Sequence, residues 1–217
     1  MDHLPSSIEA ILGRCLAHRR GRDSLLLTRA SQSVSRQPSI VLVTSSLGPS
    51  GSSISPEHTP LGENTFPTIS WKLPHGLEAL VSSYVIIIED PDAPGPQPVV
   101  LGLYYGISPH KTKLVAKDFR PLVRIPKGHR GCGETPHLAG GFRYGINWGQ
   151  NIWSGPRPIL AHGEHRYFFQ VIALKADLVT RLRNKPLTKD WLLRELKPND
   201  VLAWGEWIGT CERRHGS

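Results

Sequence analysis

The chain has 217 residues and a formal net charge of +8 at pH 7. That length fits one domain with a substantial core, which needs no disulfide or metal to hold it together. The three cysteines are widely spaced, which excludes a disulfide framework and favours a reducing compartment. No apolar run approaches the ~20 residues of a membrane-spanning helix, and the N-terminus lacks the apolar core of a secretory signal. We therefore expect a cytoplasmic protein without a transmembrane segment, whose charge favours anionic ligands.

The first predicted element is an amphipathic helix from Ser7 to His18, followed by a polar linker to residue 38. Ser7 is placed to cap the helix, and apolar residues recur at helical spacing: Ile8, Ile11, Leu12, Cys15 and Leu16. Arg19-Arg20-Gly21-Arg22 follows. A membrane or nucleic-acid arm would explain these charges, but so would a helix C-terminus, whose dipole favours cations. We favour the second interpretation and expect no nucleic-acid partner, because no aromatic residue is interleaved for base stacking.

Short strands separated by proline and glycine are predicted beyond the linker, over residues 40–44, 69–73, 77–88, 99–107, 114–115, 166–174 and 201–211. Little helix lies between them, which favours antiparallel sheets over βαβ units. The serine-rich stretch 48–64 predicts a surface excursion. A second short helix is predicted from Leu187 to Lys197, with Thr188 at its N-cap.

One predicted strand ends in two carboxylates that are held between prolines. Val85-Ile86-Ile87-Ile88 is a β-branched run, typical of a strand covered on both faces. Asp90-Pro91-Asp92-Ala93-Pro94 follows, and its prolines end the strand and fix the backbone. Asp90 and Asp92 are thereby delivered at a strand end in a nearly rigid geometry. This arrangement suits carboxylates that orient a neighbouring group, although an ordinary strand exit with solvated aspartates is the alternative.

Residues 128–149 form a glycine-rich stretch that contains His129, Cys132 and His137. It lacks the G-x-x-x-x-G-K-[ST] pattern and the strand-then-helix context of a phosphate-binding loop. A zinc site would need a third and a fourth ligand at closed spacing, which the sequence does not offer. We therefore expect no metal and no cofactor, and predict that this stretch forms a wall or lid beside a pocket.

Two further segments complete a set of motifs with the acidic turn. Ser154-Gly155-Pro156 is a Gly-Pro turn, and Gly163-Glu164-His165-Arg166-Tyr167 opens a strand. In this order, the three motifs resemble those of the phosphatidylethanolamine-binding protein (PEBP) family. The resemblance extends from about Ser39 to Arg213 through Trp71-Lys72-Leu73-Pro74 and Gly205-Glu206-Trp207-Ile208-Gly209, and the segment 102–107 looks most like fungal members.

The resemblance implies a mainly β fold, a Greek-key antiparallel β-sandwich with peripheral helices near both termini. Residues 1–38 would be an N-terminal helix and linker, and residues 39–217 the PEBP-like domain. It also implies a pocket for a small anionic ligand, a carboxylate or a phosphate such as a lipid headgroup. Its ligand-binding residues would be Asp90, Asp92, Pro94, Leu101, Gly155, Pro156, His165 and Tyr167.

The chemistry of this pocket follows from its residue types. A carboxylate that faces His165 would stabilise the imidazole proton, and the ring would then be a strong donor to an anion. Backbone N–H groups near Gly155 can add donors, since glycine lets a ligand approach the main chain. Family members usually carry a histidine where this chain has Leu101. Without that donor, we expect small, partly apolar carboxylates to be preferred over phosphates.

Two classes of function stay open at this point. The first is a binding module that captures an anionic ligand and regulates a partner protein, such as a kinase. The second is an enzyme or auxiliary factor of fungal secondary metabolism, such as the coupling of maleic-anhydride units to maleidrides alongside ketosteroid-isomerase-like proteins. Its catalytic residues are unknown, with Asp90, Asp92 and His165 as candidate acid and base groups.

Overall fold

The computed structural model describes residues 4–34, 39–44, 46–122, 137–175, 177–182 and 185–214. The strands are β1 Val41–Thr44, β2 Ile69–Lys72, β3 Ser83–Asp90, β4 Val99–Ile107, β5 Lys113–Leu114, β6 Arg143–Tyr144, β7 His165–Leu174 and β8 Val201–Cys211. The helices are α1 Ser6–Leu16, α2 Leu27–Ala30, α3 Leu178–Leu182 and α4 Lys189–Glu195. All pairings between these strands are antiparallel. The expected mainly β, antiparallel fold with few helices is confirmed.

Strand β3 lies at the centre of the larger sheet, whose order is β6-β4-β3-β7-β8, while β1, β2 and β5 form the smaller one. Every residue of β3 is buried. Ile86 and Ile88 face a core shared with the smaller sheet, where Trp71 packs edge-on against Tyr84 with ring centroids 5.1 Å apart. Ile87 faces a second core beneath the helices. Coverage on both faces explains the β-branched run in the sequence.

Helix α4 covers this second core through Leu192, which is fully buried. The predicted N-cap is observed, since the Thr188 hydroxyl accepts a hydrogen bond from the amide of Trp191 at 3.0 Å. The helix is shorter than the predicted range 187–197, because the backbone is already extended at Leu196. No helix within the described ranges combines the length and the apolar character needed to cross a membrane.

Helix α1 docks through its small residues rather than through its apolar stripe. Ala10 and Gly13 are its buried residues. A Cβ atom at Gly13 would lie only 2.1 Å from the carbonyl oxygen of Leu160, so glycine is needed for this close approach. The apolar stripe instead faces outward, with exposed fractions of 40 to 60% at Ile8, Ile11 and Leu12.

Some predicted boundaries differ from the structure. Ser7 does not cap α1, because the N-cap residue is Pro5 and no side chain caps the helix. The strand predicted over 77–88 begins only at Ser83, because Glu78–Leu80 form a 3-10 turn. The excursion 48–64 is largely exposed, but it also buries side chains, namely Ile54, His58 and Thr59.

The described part of the N-terminal segment packs directly on the sheet. Leu26 and Leu27 are fully buried. The amide of Leu27 donates to Oε2 of Glu89 on β3 at 2.8 Å, and the Thr28 hydroxyl donates to Oε1 of Gln170 at 2.7 Å. These residues therefore contribute to the core of the β domain, and the boundary at residue 38 stays a prediction.

Candidate functional site

The acidic turn and the start of β7 meet at one end of the larger sheet. Because β3 and β7 are antiparallel neighbours, the end of one strand lies beside the start of the other. Nδ1 of His165 lies 2.8 Å from Oδ2 of Asp90. The two side chains are buried, with 1% and 8% of their surfaces exposed. The structure thus brings together the two residues that the sequence placed in one pocket.

Asp90 is oriented by its own turn. Its Oδ1 atom accepts hydrogen bonds from the amides of Asp92 at 2.9 Å and Ala93 at 3.0 Å. Such side-chain-to-backbone bonds are typical of Asx turns, and Pro91 restricts the backbone between them. Oδ2 is left to face His165, so the carboxylate holds the imidazole in a fixed position.

Asp92 binds Arg166 instead of joining the Asp90–His165 pair. Its Oδ2 atom accepts from the amide and from Nε of Arg166, both at 2.9 Å, and its Oδ1 atom accepts from Nη2 at 2.9 Å. Arg166 also binds both carboxylate oxygens of Asp23 at 2.8 Å. Burial alone would raise the pKa of Asp92, but the hydrogen bonds from Arg166 outweigh it and lower that pKa. Both oxygens of Asp92 are thus engaged by protein donors.

The Gly-Pro turn lies next to β4, because the amide of Ser154 donates to the carbonyl of Leu101 at 3.2 Å. The amide of Gly155 donates to Oδ1 of Asn64 at 3.1 Å. The backbone donor that we assigned to an anion is therefore engaged by a side chain from the excursion 48–64. Of the remaining predicted ligand-binding residues, Pro94 is partly buried and Pro156 is buried, as Leu101 and Gly155 are.

Among the buried donors that have no hydrogen-bond partner in the described part of the chain, two belong to the motifs or directly precede them. They are the hydroxyl of Tyr167 and Nε1 of Trp153, both buried. The Tyr167 ring stacks near His165 with centroids 6.4 Å apart, and Trp153 packs beside Phe169 at 6.2 Å. Burial and the Asp90 charge raise the pKa of Tyr167, so its hydroxyl keeps its proton. An unpaired buried polar group costs about 1–3 kcal/mol, which a ligand acceptor would recover.

Sequence reasoning overlooked His162, which contacts the pair directly. Its Nδ1 atom lies 2.7 Å from Nε2 of His165, and its Nε2 atom lies 2.9 Å from the carbonyl oxygen of Leu16 at the end of α1. Burial lowers the pKa of His162, and the neighbouring His165 adds to this effect. The only signal in the sequence was a second histidine directly before the motif, three residues before His165. Trp153 was overlooked as well, although it directly precedes the Gly-Pro turn.

Residues 16–23, which we call the strap, connect α1 to both loops of the site. The amide of Gly21 donates to Oδ1 of Asp92 at 3.0 Å, and the amide of Arg22 donates to the carbonyl of Pro91 at 3.0 Å. The guanidinium of Arg20 contacts the carbonyl of Glu164. The basic sequence after α1 is therefore not a free arm, because its backbone and side chains bind the acidic turn and the loop before β7.

Part of the predicted glycine-rich wall cannot be placed beside this site. His129 and Cys132 lie outside the described residues, whereas Nε2 of His137 lies 3.2 Å from Nη2 of Arg143. Within the described ranges, no group of three His, Cys, Asp or Glu side chains is arranged to hold a metal ion.

Comparison with solved structures supports the observed architecture. A phosphatidylethanolamine-binding protein homolog from Chlamydia trachomatis superimposes with a TM-score of 0.60 at 22% identity, over 82% of this chain and 99% of the other. A PEBP-family protein of E. coli gives a TM-score of 0.58 at 20% identity, over 80% of this chain and 98% of that one. At such identities the likeness concerns the fold alone.

Comparison with known sequences gives relatives that cover nearly the whole chain. The phomoidride biosynthesis cluster protein B of Talaromyces stipitatus is 29% identical over 95% of this chain and 82% of its own length. A protein of the same name from another fungus is 29% identical over 98% of this chain and 97% of its own length. The sequence model of the phosphatidylethanolamine-binding protein family matches residues 44–212. The chain therefore belongs to the phosphatidylethanolamine-binding protein family.

Proposed function

We propose that this protein binds a small, partly apolar carboxylate at the end of the larger sheet, as part of a fungal biosynthetic pathway. The proposal rests on two buried donors that have no hydrogen-bond partner among the described residues, the Tyr167 hydroxyl and the Trp153 indole N–H. Both are uncharged, and both side chains belong to the core cluster that also contains Phe169. Uncharged donors in apolar surroundings suit a carboxylate or carbonyl oxygen with apolar substituents.

The charges of the site also favour a carboxylate over a phosphate. The imidazole of His165 is already paired with Asp90, so its charge is compensated before a doubly charged phosphate could bind. The side chain of Leu101, buried beside the Gly-Pro turn, cannot donate a hydrogen bond.

The pathway assignment is supported by the two phomoidride cluster relatives, whose matches cover nearly all of this chain. We propose the cytoplasm as its location, because Cys15 and Cys211 are free thiols.

The Leu101→His variant tests the preference for carboxylates. We expect wild type to bind an alkyl maleate more tightly than phosphoethanolamine, and Leu101→His to bind phosphoethanolamine about ten to a hundred times more tightly than wild type does. The added imidazole would supply a charge-assisted hydrogen bond of about 1.5–3 kcal/mol. Isothermal titration calorimetry measures both ligands, and Leu101→Met, which keeps the volume without adding a donor, is the control. Equal phosphoethanolamine affinity in wild type and Leu101→His would contradict the argument.

The Tyr167→Phe variant tests the donor itself. It removes only the hydroxyl, which has no partner in the protein, so we expect the free energy of unfolding to stay equal or to rise by about 1 kcal/mol. Affinity for the alkyl maleate should fall about tenfold, as expected for one lost hydrogen bond to a charged acceptor. Urea unfolding and calorimetry give the two quantities. A variant that binds as wild type does would show that the hydroxyl faces no ligand.

A second candidate function is an enzyme or auxiliary factor that couples acidic monomers, together with a ketosteroid-isomerase-like partner. The hydrogen-bond contacts that connect Asp90 to His165 and His165 to His162 favour this function, because connected imidazoles can pass a proton. The incubated calorimetry samples, analysed by mass spectrometry for dimeric products, distinguish it from simple binding. Products formed by wild type and lost in His165→Gln would establish catalysis.

A further inference from the structure

The strongest unassigned feature is an unbroken chain of hydrogen bonds from the carboxylate of Asp90 to the end of α1. It runs from Oδ2 of Asp90 to Nδ1 of His165 at 2.8 Å, and from Nε2 of His165 to Nδ1 of His162 at 2.7 Å. It ends between Nε2 of His162 and the carbonyl oxygen of Leu16 at 2.9 Å. Both histidines are 1% exposed, so bulk water does not compete for these contacts.

The number of protons in this chain follows from the chemistry of its ends. A carbonyl oxygen only accepts, so Nε2 of His162 must carry a hydrogen. A carboxylate also only accepts, so Nδ1 of His165 carries one as well. The contact between the two rings needs a third hydrogen. Two neutral imidazoles carry only two, so the histidine pair holds one extra proton, whose charge is balanced by Asp90.

Asp90 is held as a carboxylate by its own turn. Its Oδ1 atom accepts two backbone hydrogen bonds, from Asp92 and Ala93, and such bonds favour the ionised form. The extra proton therefore belongs to the rings rather than to the carboxyl group.

The surroundings decide which ring is the cation. The charged groups that act on His162 are Arg20 of the strap, His165 and Asp90, and burial is the largest cause of the lowered pKa of His162. His165 contacts Asp90 directly, while Tyr167 and Cys211 beside it are uncharged when protonated. Burial raises the pKa of the Cys211 thiol to about 11, so it stays protonated at neutral pH. The positive charge is thus most stable on His165.

We infer that His162 is a positioning residue, which accepts the second N–H of His165 and thereby keeps that ring doubly protonated and fixed against Asp90. Its role in ligand binding rests on the proposed function, but the hydrogen bonding itself does not. Both nitrogens of His165 are then used by the protein, so ligand oxygens are left to the other donors of the site. Because Leu16 accepts from His162, the arrangement also requires α1 and the strap to be seated.

Nuclear magnetic resonance of the full-length, 15N-labelled protein without ligand tests this inference. At pH 7, we expect two ring N–H signals from His165 and one from His162, at Nε2. His162→Phe keeps a ring of similar shape without nitrogen atoms, and it should leave His165 with one ring N–H. His162→Gln should retain both, since its amide can accept from His165 and donate to Leu16.

The control is His58→Phe. It removes another buried histidine, which contacts the carbonyl oxygen of Thr65 and takes no part in the hydrogen bonds from Asp90 to Leu16. It should leave both His165 signals unchanged. A singly protonated His165 in wild type, or two ring N–H signals in folded His162→Phe, would overturn the inference. If His162→Phe does not fold, the wild-type and His162→Gln spectra decide. Calorimetry with an alkyl maleate is done separately, so a lack of binding would refute the proposed function and leave the proton assignment standing.

Discussion

Replacing Lys189 by Met is expected to lower the free energy of unfolding by about 3–5 kcal/mol, because it leaves a buried carboxylate without its cation. Glu89 lies on the central strand β3 and is 0% exposed. Its Oε1 atom contacts Nζ of Lys189, and its Oε2 atom accepts from the amide of Leu27 and from Nε2 of Gln170, both at 2.8 Å. Two neutral donors remain in the variant, but the charge loses its only ion-pair partner among the described residues. Urea unfolding at pH 7 measures the loss.

A second substitution shows whether the loss comes from the stranded charge. Lys189→Met combined with Glu89→Gln should recover at least half of the loss, because the remaining amide is neutral and can still accept from Leu27. Lys185→Met, at an exposed site four residues before Lys189, should change the stability by less than about 0.5 kcal/mol. A loss below about 1 kcal/mol in Lys189→Met would show that water reaches the Glu89 carboxylate.

The four long strands of the larger sheet, β3, β4, β7 and β8, could be predicted because their residues are largely buried, whereas the two-residue strand β6 was not predicted. The β-branched run Val85-Ile86-Ile87-Ile88 favours a strand covered on both faces, and prolines define its end. Strand β4 was predicted with its observed bounds, Val99–Ile107, for the same reason. Helix α1 was harder, because hydrophobic periodicity identifies the apolar face of a helix but not a contact made through Ala10 and Gly13.

The contacts of the site could be predicted only where a sequence motif places both residues at the ends of neighbouring strands. Asp90 and His165 lie at the ends of neighbouring strands, so sheet pairing brings them into contact. His162 depends on a different event, the docking of Leu16 from the far end of the chain, which no local pattern encodes. Asp92 illustrates the limit of the motif, because its neighbour in the structure is Arg166. Two aspartates of one rigid turn can therefore bind different groups when their side chains face different elements.

Replacing Asp92 by Asn is expected to lower the free energy of unfolding by about 3 kcal/mol at pH 7, the lower end of the range for a broken buried ion pair. Asp92 is 2% exposed and accepts from three donors of Arg166 and from the amide of Gly21. The asparagine must turn an NH2 group toward one of these donors. The lower end applies because the side chain of Arg166 is 37% exposed, so water partly screens its charge.

The loss in Asp92→Asn should also depend on pH, with a sign set by the pKa shift. The pKa of Asp92 is lowered in the folded protein from its ordinary value of 3.8. Its contribution to stability is therefore complete above that value and disappears as the pH falls through the folded pKa. The stability difference between wild type and variant should thus begin to shrink only below pH 3.8, as the pH falls toward the folded pKa of Asp92. Urea unfolding at pH 7, 5 and 3 measures this, with Glu63→Gln, an exposed carboxylate, as the reference.

The Asp92→Asn variant also tests whether the strap can loosen while the Asp90–His165 contact persists. Asp92 holds both Arg166 and the strap through Gly21, whereas the Asp90–His165 contact does not involve its side chain. Hydrogen exchange of the amides of residues 16–23 should therefore accelerate in Asp92→Asn at pH 7, while the His165 ring signals persist as long as Leu16 stays seated. An Asp92→Asn protein whose stability parallels that of wild type at every pH would show that the charge of Asp92 does not hold Arg166.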